Sequence, residues 1–219
     1  TQLDTTSVAV RTFRCVYETA QHSLAKEPYF SLIDTDALGY ADTSVQMMEA
    51  EPSTKHDFIQ TPGLERLAKL GSRFTAAYAP TPTCTGSRIS IQLGMTPVRT
   101  QYRNVFDVLS HYQRPDGYDD ETTLGEMFKE SGRNYITAMF GKGASALGRF
   151  EDAGYDVTDE LPGEPGGNGN GHGSYWDVKK KTPFPADNPK RMRSLRKDSV
   201  AFVNKYAGEQ PFFLMVSHY

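Results

Sequence analysis

The chain has 219 residues, with 24 lysines and arginines against 27 aspartates and glutamates, for a formal net charge of -3. That length carries one substantial domain with its own core, and the near-balanced charge gives no global signal for nucleic acid or an anionic membrane. No apolar run approaches the ~20 residues of a transmembrane helix, no charged-then-apolar leader pattern opens the chain, and two cysteines, Cys15 and Cys84, allow one disulfide but no disulfide framework.

Apolar strands alternate with amphipathic helices along the chain. YFSLID (29–34) reads as a buried strand. TPGLERLAKLG (61–71) reads as a helix, with Thr61 as N-cap, Pro62 in the first turn and Gly71 as the stop. RFTAAYA (73–79) is predicted as the next strand. TTLGEMFKESG (122–132) predicts a helix ending in Gly132, and NYITAMFG (134–141) a strand. Asn188-Pro189 opens a long helix, on which Met192, Leu195, Phe202, Val203 and Tyr206 recur at helical spacing. PFFLMV (211–216) is apolar throughout, as expected of a central strand covered on both faces. The order strand, helix, strand predicts an α/β fold with a largely parallel sheet flanked by helices.

Two segments invite a ligand reading. PGEPGGNGNGHG (162–173) is Gly-rich, but it lacks the Gly-Lys-Ser/Thr ending and the preceding strand of a nucleotide phosphate loop. Lys179 to Lys181, with Lys190, Arg191, Arg193, Arg196 and Lys197, form a basic cluster, best read as a solvated helix face and its lead-in. The chain stops at Tyr219, just after a central strand. Open α/β sheets bind ligands at the carboxyl ends of their strands, so the expected site is cut short and the chain reads as part of a longer protein.

TPTCTGSRIS (81–90) places Cys84 at the mouth of a predicted helix, with Arg88 one turn later on the same face. A helix N-terminus carries unpaired N–H groups and a partial positive charge, which favour a thiolate and an anionic substrate. The trio fits an anion-binding nucleophile site. The same residues also fit a small buried cysteine beside a structural ion pair.

The flanking residues break that tie. TPGLERLAKLGSRFTAAYAPTPTCTGSR resembles the sulfatase family, whose members show a Thr-Pro-Asn-Leu-Asp-Arg-Leu-Ala helix, then Arg-Phe-Thr, a Tyr-Ala strand and Cys-x-Pro-Ser-Arg. DALGYAD (36–42) resembles the family's metal loop, Asp-Asp-Leu-Gly-Tyr-Gly-Asp. AMFGKG (138–143) resembles the segment with Gly-Lys-Trp-His, and PFFLMVSHY the strand before Ala-Pro-His. The likeness runs from about Pro28 to Tyr219, in order. It implies an alkaline-phosphatase-like α/β domain over 28–219, incomplete at its C-terminus, after an extension at 1–27.

The resemblance implies sulfate ester hydrolysis with formylglycine as nucleophile, an aldehyde made by oxidising Cys84. The hydrated aldehyde attacks sulfur with one hydroxyl and displaces the alcohol; the other hydroxyl then loses its proton and expels sulfate, regenerating the aldehyde. Arg88 would steady the hydrate and the cation site, Ser87 would serve the turn or its recognition, and Lys142 would bind a sulfate oxygen and offset leaving-group charge. Asp36 would ligate a divalent cation, calcium or magnesium. The implied partners are a sulfated small molecule or carbohydrate, the formylglycine-generating or sulfatase-maturating enzyme, and the C-terminal remainder of the same protein. The implied location is outside the cytoplasm: periplasmic, secreted or lysosomal.

The chain departs from the family pattern at several points. Ala37 stands at the second aspartate. Asp34, on the same side of an extended strand as Asp36, is the candidate substitute ligand, with a structural role as the other reading. Gly143 and Ala144 leave no histidine after Lys142, and Gly86 replaces the motif's usual proline or alanine. His172, in the Gly-rich loop beside Tyr175 and Trp176, is a candidate substrate contact, whereas His22, His56 and His111 read as surface or packing residues. His218 falls on a tyrosine-like position of the family strand, away from its catalytic histidine. Two other functions stay open: a related metal-dependent phosphodiesterase or phosphonate hydrolase, and a degenerate member that binds without turnover. The 219 residues alone are expected to be inactive.

Overall fold

The computed structural model describes residues 27–102, 121–143, 148–159 and 192–218, together with the backbone of 11–14, 176–177 and 182–183. Its strands are β1 (Arg11–Arg14), β2 (Phe30–Thr35), β3 (Ile136–Gly141), β4 (Val157–Thr158), β5 (Trp176–Asp177), β6 (Thr182–Pro183) and β7 (Phe212–His218). Its helices are α1 (Pro62–Leu70), α2 (Cys84–Leu93), α3 (Pro97–Thr100), α4 (Leu124–Lys129) and α5 (Met192–Tyr206). The main sheet has the order β1-β2-β7-β3-β4, while β5 and β6 pair separately. β2, β7, β3 and β4 run parallel, and β1 joins β2 antiparallel at the edge. The α/β expectation holds, and the three long predicted strands are neighbours.

The continuous apolar run of β7 follows from its central place. Phe213 and Met215 point to one face, where they pack with Leu32, Met139, Tyr155, Ile91 of α2 and Phe128 of α4. Phe212, Leu214 and Val216 point to the other, against Leu195, Phe202 and Tyr206 of α5. Side chains alternate across a strand, so helices on both faces require apolar residues at every position. Leu195 and Phe202 sit under the sheet while Arg193, Arg196 and Lys197 are exposed, so this part of the basic cluster is a solvated helix face. Its remaining members (Lys179 to Lys181, Lys190 and Arg191), the Gly-rich loop with His172, and Cys15, His22 and His111 lie outside the described residues.

Local signals set several element ends. α1 starts after Thr61 with Pro62 in its first turn and stops at Gly71. The Thr61 hydroxyl makes no capping bond and instead accepts from the Ser44 N–H at 3.0 Å, which ties the preceding loop to the helix. α4 opens on a capping box, in which Thr123 Oγ1 accepts from the Glu126 N–H and Glu126 Oε2 accepts from the Thr123 N–H. It ends at Lys129 rather than at Gly132, which makes the following turn at φ +71°.

One expected element is corrected. Residues 73–79 form no strand, and Phe74 and Tyr78 are exposed. A strand exists only through a ladder with a neighbour, and no described segment pairs with this one. Alternating sequence cannot supply the partner.

Candidate active site

The site is built where β2, β7 and β3 end and α2 begins. Cys84 is the first residue of α2, after Thr83 in extended conformation, and is a half-buried free thiol. The turn before it is pinned from within the helix. Ser87, 1% exposed, donates from Oγ to the Thr81 carbonyl at 2.9 Å. The Thr81 hydroxyl donates in turn to the Thr83 carbonyl at 2.8 Å. Gly94, at φ +63°, closes α2 with a left-handed cap, where glycine carries no Cβ penalty.

Arg88 points from α2 into the carboxyl ends of the strands and is buried at 4% exposure. Its Nη1 donates to Asp34 Oδ2 and to Ser217 Oγ, and also to the Lys142 carbonyl at 2.9 Å. Its Nη2 reaches Asp36 Oδ1 at 3.4 Å. One guanidinium thus binds the ends of β2, β3 and β7. Register makes this possible: Asp34 lies opposite Ser217 across the β2–β7 pair, and Gly141 opposite Ser217 across β3–β7.

Asp36 and Lys142 stand farther out. The Lys142 ammonium donates to Asp36 Oδ2, and both side chains are about a fifth exposed. Burial pushes the Asp36 carboxyl up, but Lys142 and Arg88 outweigh it and hold it below the ordinary carboxylate value. The four charges balance, two cations against two carboxylates. The structure therefore brings together Arg88, Lys142, Asp36 and Asp34, with Cys84 one turn from Arg88.

Asp34 is 2% exposed and its Oδ2 also accepts from Ser217 Oγ at 2.7 Å. Ala37 follows Asp36 at φ +52°, in the left-handed region that β-carbon-bearing residues avoid. The loop after it closes when Asp42 Oδ2 accepts from the Gly39 N–H at 2.7 Å. Among the described residues, no three of His, Cys, Asp and Glu gather as a metal group. His218, at the end of β7, is half-buried; burial holds its imidazole below the ordinary value, with the Asp34 charge acting in the opposite direction. His56 serves its own loop, where Nδ1 accepts from the Phe58 and Ile59 N–H groups.

Two site residues escape a reading of the sequence. Ser217 is hidden as the last small polar residue of an apolar run. Asp159 accepts from the Gly141 N–H at 3.0 Å and so fixes the end of β3, but it lies outside any motif. The only sequence signal for Ser217 was a hydroxyl where an apolar residue would continue the strand.

The sulfatase family model matches residues 33–219, most of the chain and all of this cluster. The chain belongs to the sulfatase family. Arylsulfatase A of Bos taurus is 37% identical to it over 119 residues, covering 54% of this chain and 21% of its own length. Arylsulfatase G of Mus musculus is 31% identical over 118 residues, 54% of this chain and 20% of its own. An N-acetylgalactosamine-6-O-sulfatase of Bacteroides thetaiotaomicron is 32% identical over 124 residues, 57% of this chain and 22% of its own. This sulfatase chain spans about a fifth of the length of the curated relatives it matches. No described helix is long and apolar enough to cross a membrane.

Proposed function

We propose that the protein of which this chain is part hydrolyses a sulfate ester at residue 84. The supporting observation is the Arg88–Asp36–Lys142 cluster at the carboxyl edge of the sheet, one helical turn from Cys84. Converted to formylglycine by a maturating enzyme, residue 84 supplies a hydrated aldehyde, a nucleophile that also releases the sulfate it receives. Arg88 holds a fixed positive charge below it. Lys142 is the residue for a sulfate oxygen, and its charge opposes the negative charge that develops on the leaving oxygen. The N-terminus of α2 adds its own partial positive charge.

A divalent cation, calcium or magnesium, is part of this reading. Asp36 fits it as a hard oxygen donor at a partly exposed edge. Calcium takes six to eight oxygens, so Asp36 does not complete a shell by itself; Asp34 is the candidate second carboxylate and further donors are needed. His172 is proposed as a substrate contact. The substrate class is a sulfated small molecule or carbohydrate, and the protein is proposed to work outside the cytoplasm together with the remainder of its own chain.

Ala37, and the lack of a histidine after Lys142 where Gly143 and Ala144 stand, favour a second reading, a disabled member that binds an anion without turnover. One comparison decides. The full-length protein, Cys84→Ala and Lys142→Ala are assayed on an aryl sulfate and a sulfated sugar, and the mass of the peptide carrying residue 84 is measured. The reading expects turnover with an aldehyde at 84, none in Cys84→Ala, and kcat lower by roughly 10²-fold or more in Lys142→Ala. Full activity in Cys84→Ala refutes it. An inactive protein with unmodified Cys84 selects the binder.

A further inference from the structure

Arg88 has more acceptors than it needs for one ion pair. Its Nη1 faces Asp34, Ser217 and the Lys142 carbonyl, all fixed on strand ends. Its Nη2 faces Asp36 at the longer distance of 3.4 Å. Its Nε is buried with no partner among the described residues. The guanidinium is therefore held mainly from one end, and among the described residues Asp34 is the charged group there. Without that carboxylate, Nη1 keeps only a neutral hydroxyl and a carbonyl. The nearest remaining anion is Asp36, which also serves Lys142. A buried cation that loses its counter-ion is left uncompensated at a large energetic cost, which a shift toward Asp36 would relieve.

We propose that Asp34 is a positioning residue: with Ser217 it holds Arg88 back in the strand ends, so that Asp36 and Lys142 stay disposed toward the mouth of the site. Asp34 is committed within the strand ends, 2% exposed with Ser217 and Arg88 on the same oxygen. Two carboxylates two residues apart, one at the end of β2 and one just past it, thus divide the work. The inner one neutralises and aims the arginine, and the outer one serves the site. A purely structural ion pair would stabilise the fold without setting the geometry of Asp36.

The test is a double-mutant cycle in the full-length protein, and its rate assay rests on the sulfate-ester reading above. Asp34→Asn preserves size and one acceptor while removing the charge. We expect about a tenfold loss of kcat in the wild-type background and less than about twofold in Arg88→Gln, because Asp34 acts only through Arg88. Ser217→Ala should follow the same pattern with a smaller loss, and it carries the cycle if Asp34→Asn does not fold. Equal losses in both backgrounds, or an unchanged kcat beside a lowered melting temperature, would overturn the proposal. A second measurement needs no turnover: nitrogen NMR of the Arg88 side chain. Separate Nη1 and Nη2 signals are expected in the wild type and merged ones in Asp34→Asn, with the remaining spectrum dispersed. Signals that stay separate in the variant count against the proposal. A wild type without sulfate-ester turnover refutes only the function proposed above, and the NMR comparison then decides the role of Asp34.

Discussion

Gly86→Ala should destabilise the protein, although alanine is the better helix former. An alanine Cβ at 86 would lie 2.8 Å from Thr81 Oγ1 and 2.8 Å from the Tyr102 carbonyl oxygen, with Thr81 Cγ2 at 3.0 Å. Neither neighbour yields easily. Tyr102 presents backbone and is 4% exposed. Thr81 is 8% exposed, and its hydroxyl is committed to Thr83 and Ser87. Inside a helix, alanine gains about 1 kcal/mol over glycine. Overpacking a closed site costs about 1–3 kcal/mol. The net expectation is a loss of about 1 kcal/mol, which lowers Tm by about 2–4 °C for a domain of this size. Gly63→Ala in α1 is the control, since nothing lies within 4 Å of its Cβ. It should gain up to about 1 kcal/mol. Urea unfolding of the wild type and both variants gives the comparison. If Gly86→Ala proves as stable as Gly63→Ala, the close approach of α2 to Thr81 and Tyr102 is not a constraint, and the glycine in place of the motif's usual residue has no packing cause.

Arg88→Met should cost about 3–5 kcal/mol, because it strands the Asp34 carboxylate at 2% exposure. Adding Asp34→Leu should restore most of that, and equilibrium unfolding of both variants checks the pair. Ala37→Gly should stabilise by about 1 kcal/mol, since the backbone there holds φ +52°; a lower Tm in this variant would rule out that account. At Asp156, burial pushes the carboxyl up, but Lys129 and Thr137 outweigh it and hold it below the ordinary 3.8. Its contribution is therefore complete above that value and lost as the pH falls through the lower folded one. Asp156→Asn should be less stable than the wild type near neutral pH, and the difference should shrink toward zero in strong acid; a gap that persists there contradicts the assignment.

Much of the fold was legible because it rests on local chemistry. The apolar run at 211–216 had to be a strand covered on both faces, and β7 takes the sheet centre with Phe212 and Phe213 on opposite sides. Pro62 and Gly71 bound α1 as they stand in the sequence. The family likeness pointed to Cys84, Arg88, Asp36 and Lys142 through motifs that are each only a few residues long. The capping box at Thr123 and Glu126 was equally readable and marks where α4 begins. Pairing was not legible, since it depends on residues far apart in the chain. Residues 73–79 have the composition of a strand, yet no described neighbour forms a ladder with them. Asp34 is one carboxylate in the sequence, free to be ligand or anchor. Only the register that sets it opposite Ser217, and the helix that lowers Arg88 onto both, settles which groups it touches. Gly86 likewise looks like a bare departure from a motif until the fold brings the Tyr102 carbonyl against it. The sequence by itself determined the elements and the chemistry available, because periodicity and side-chain type are local properties. The tertiary structure decided which charges face one another, because burial and distance exist only once strands from opposite ends of the chain lie side by side.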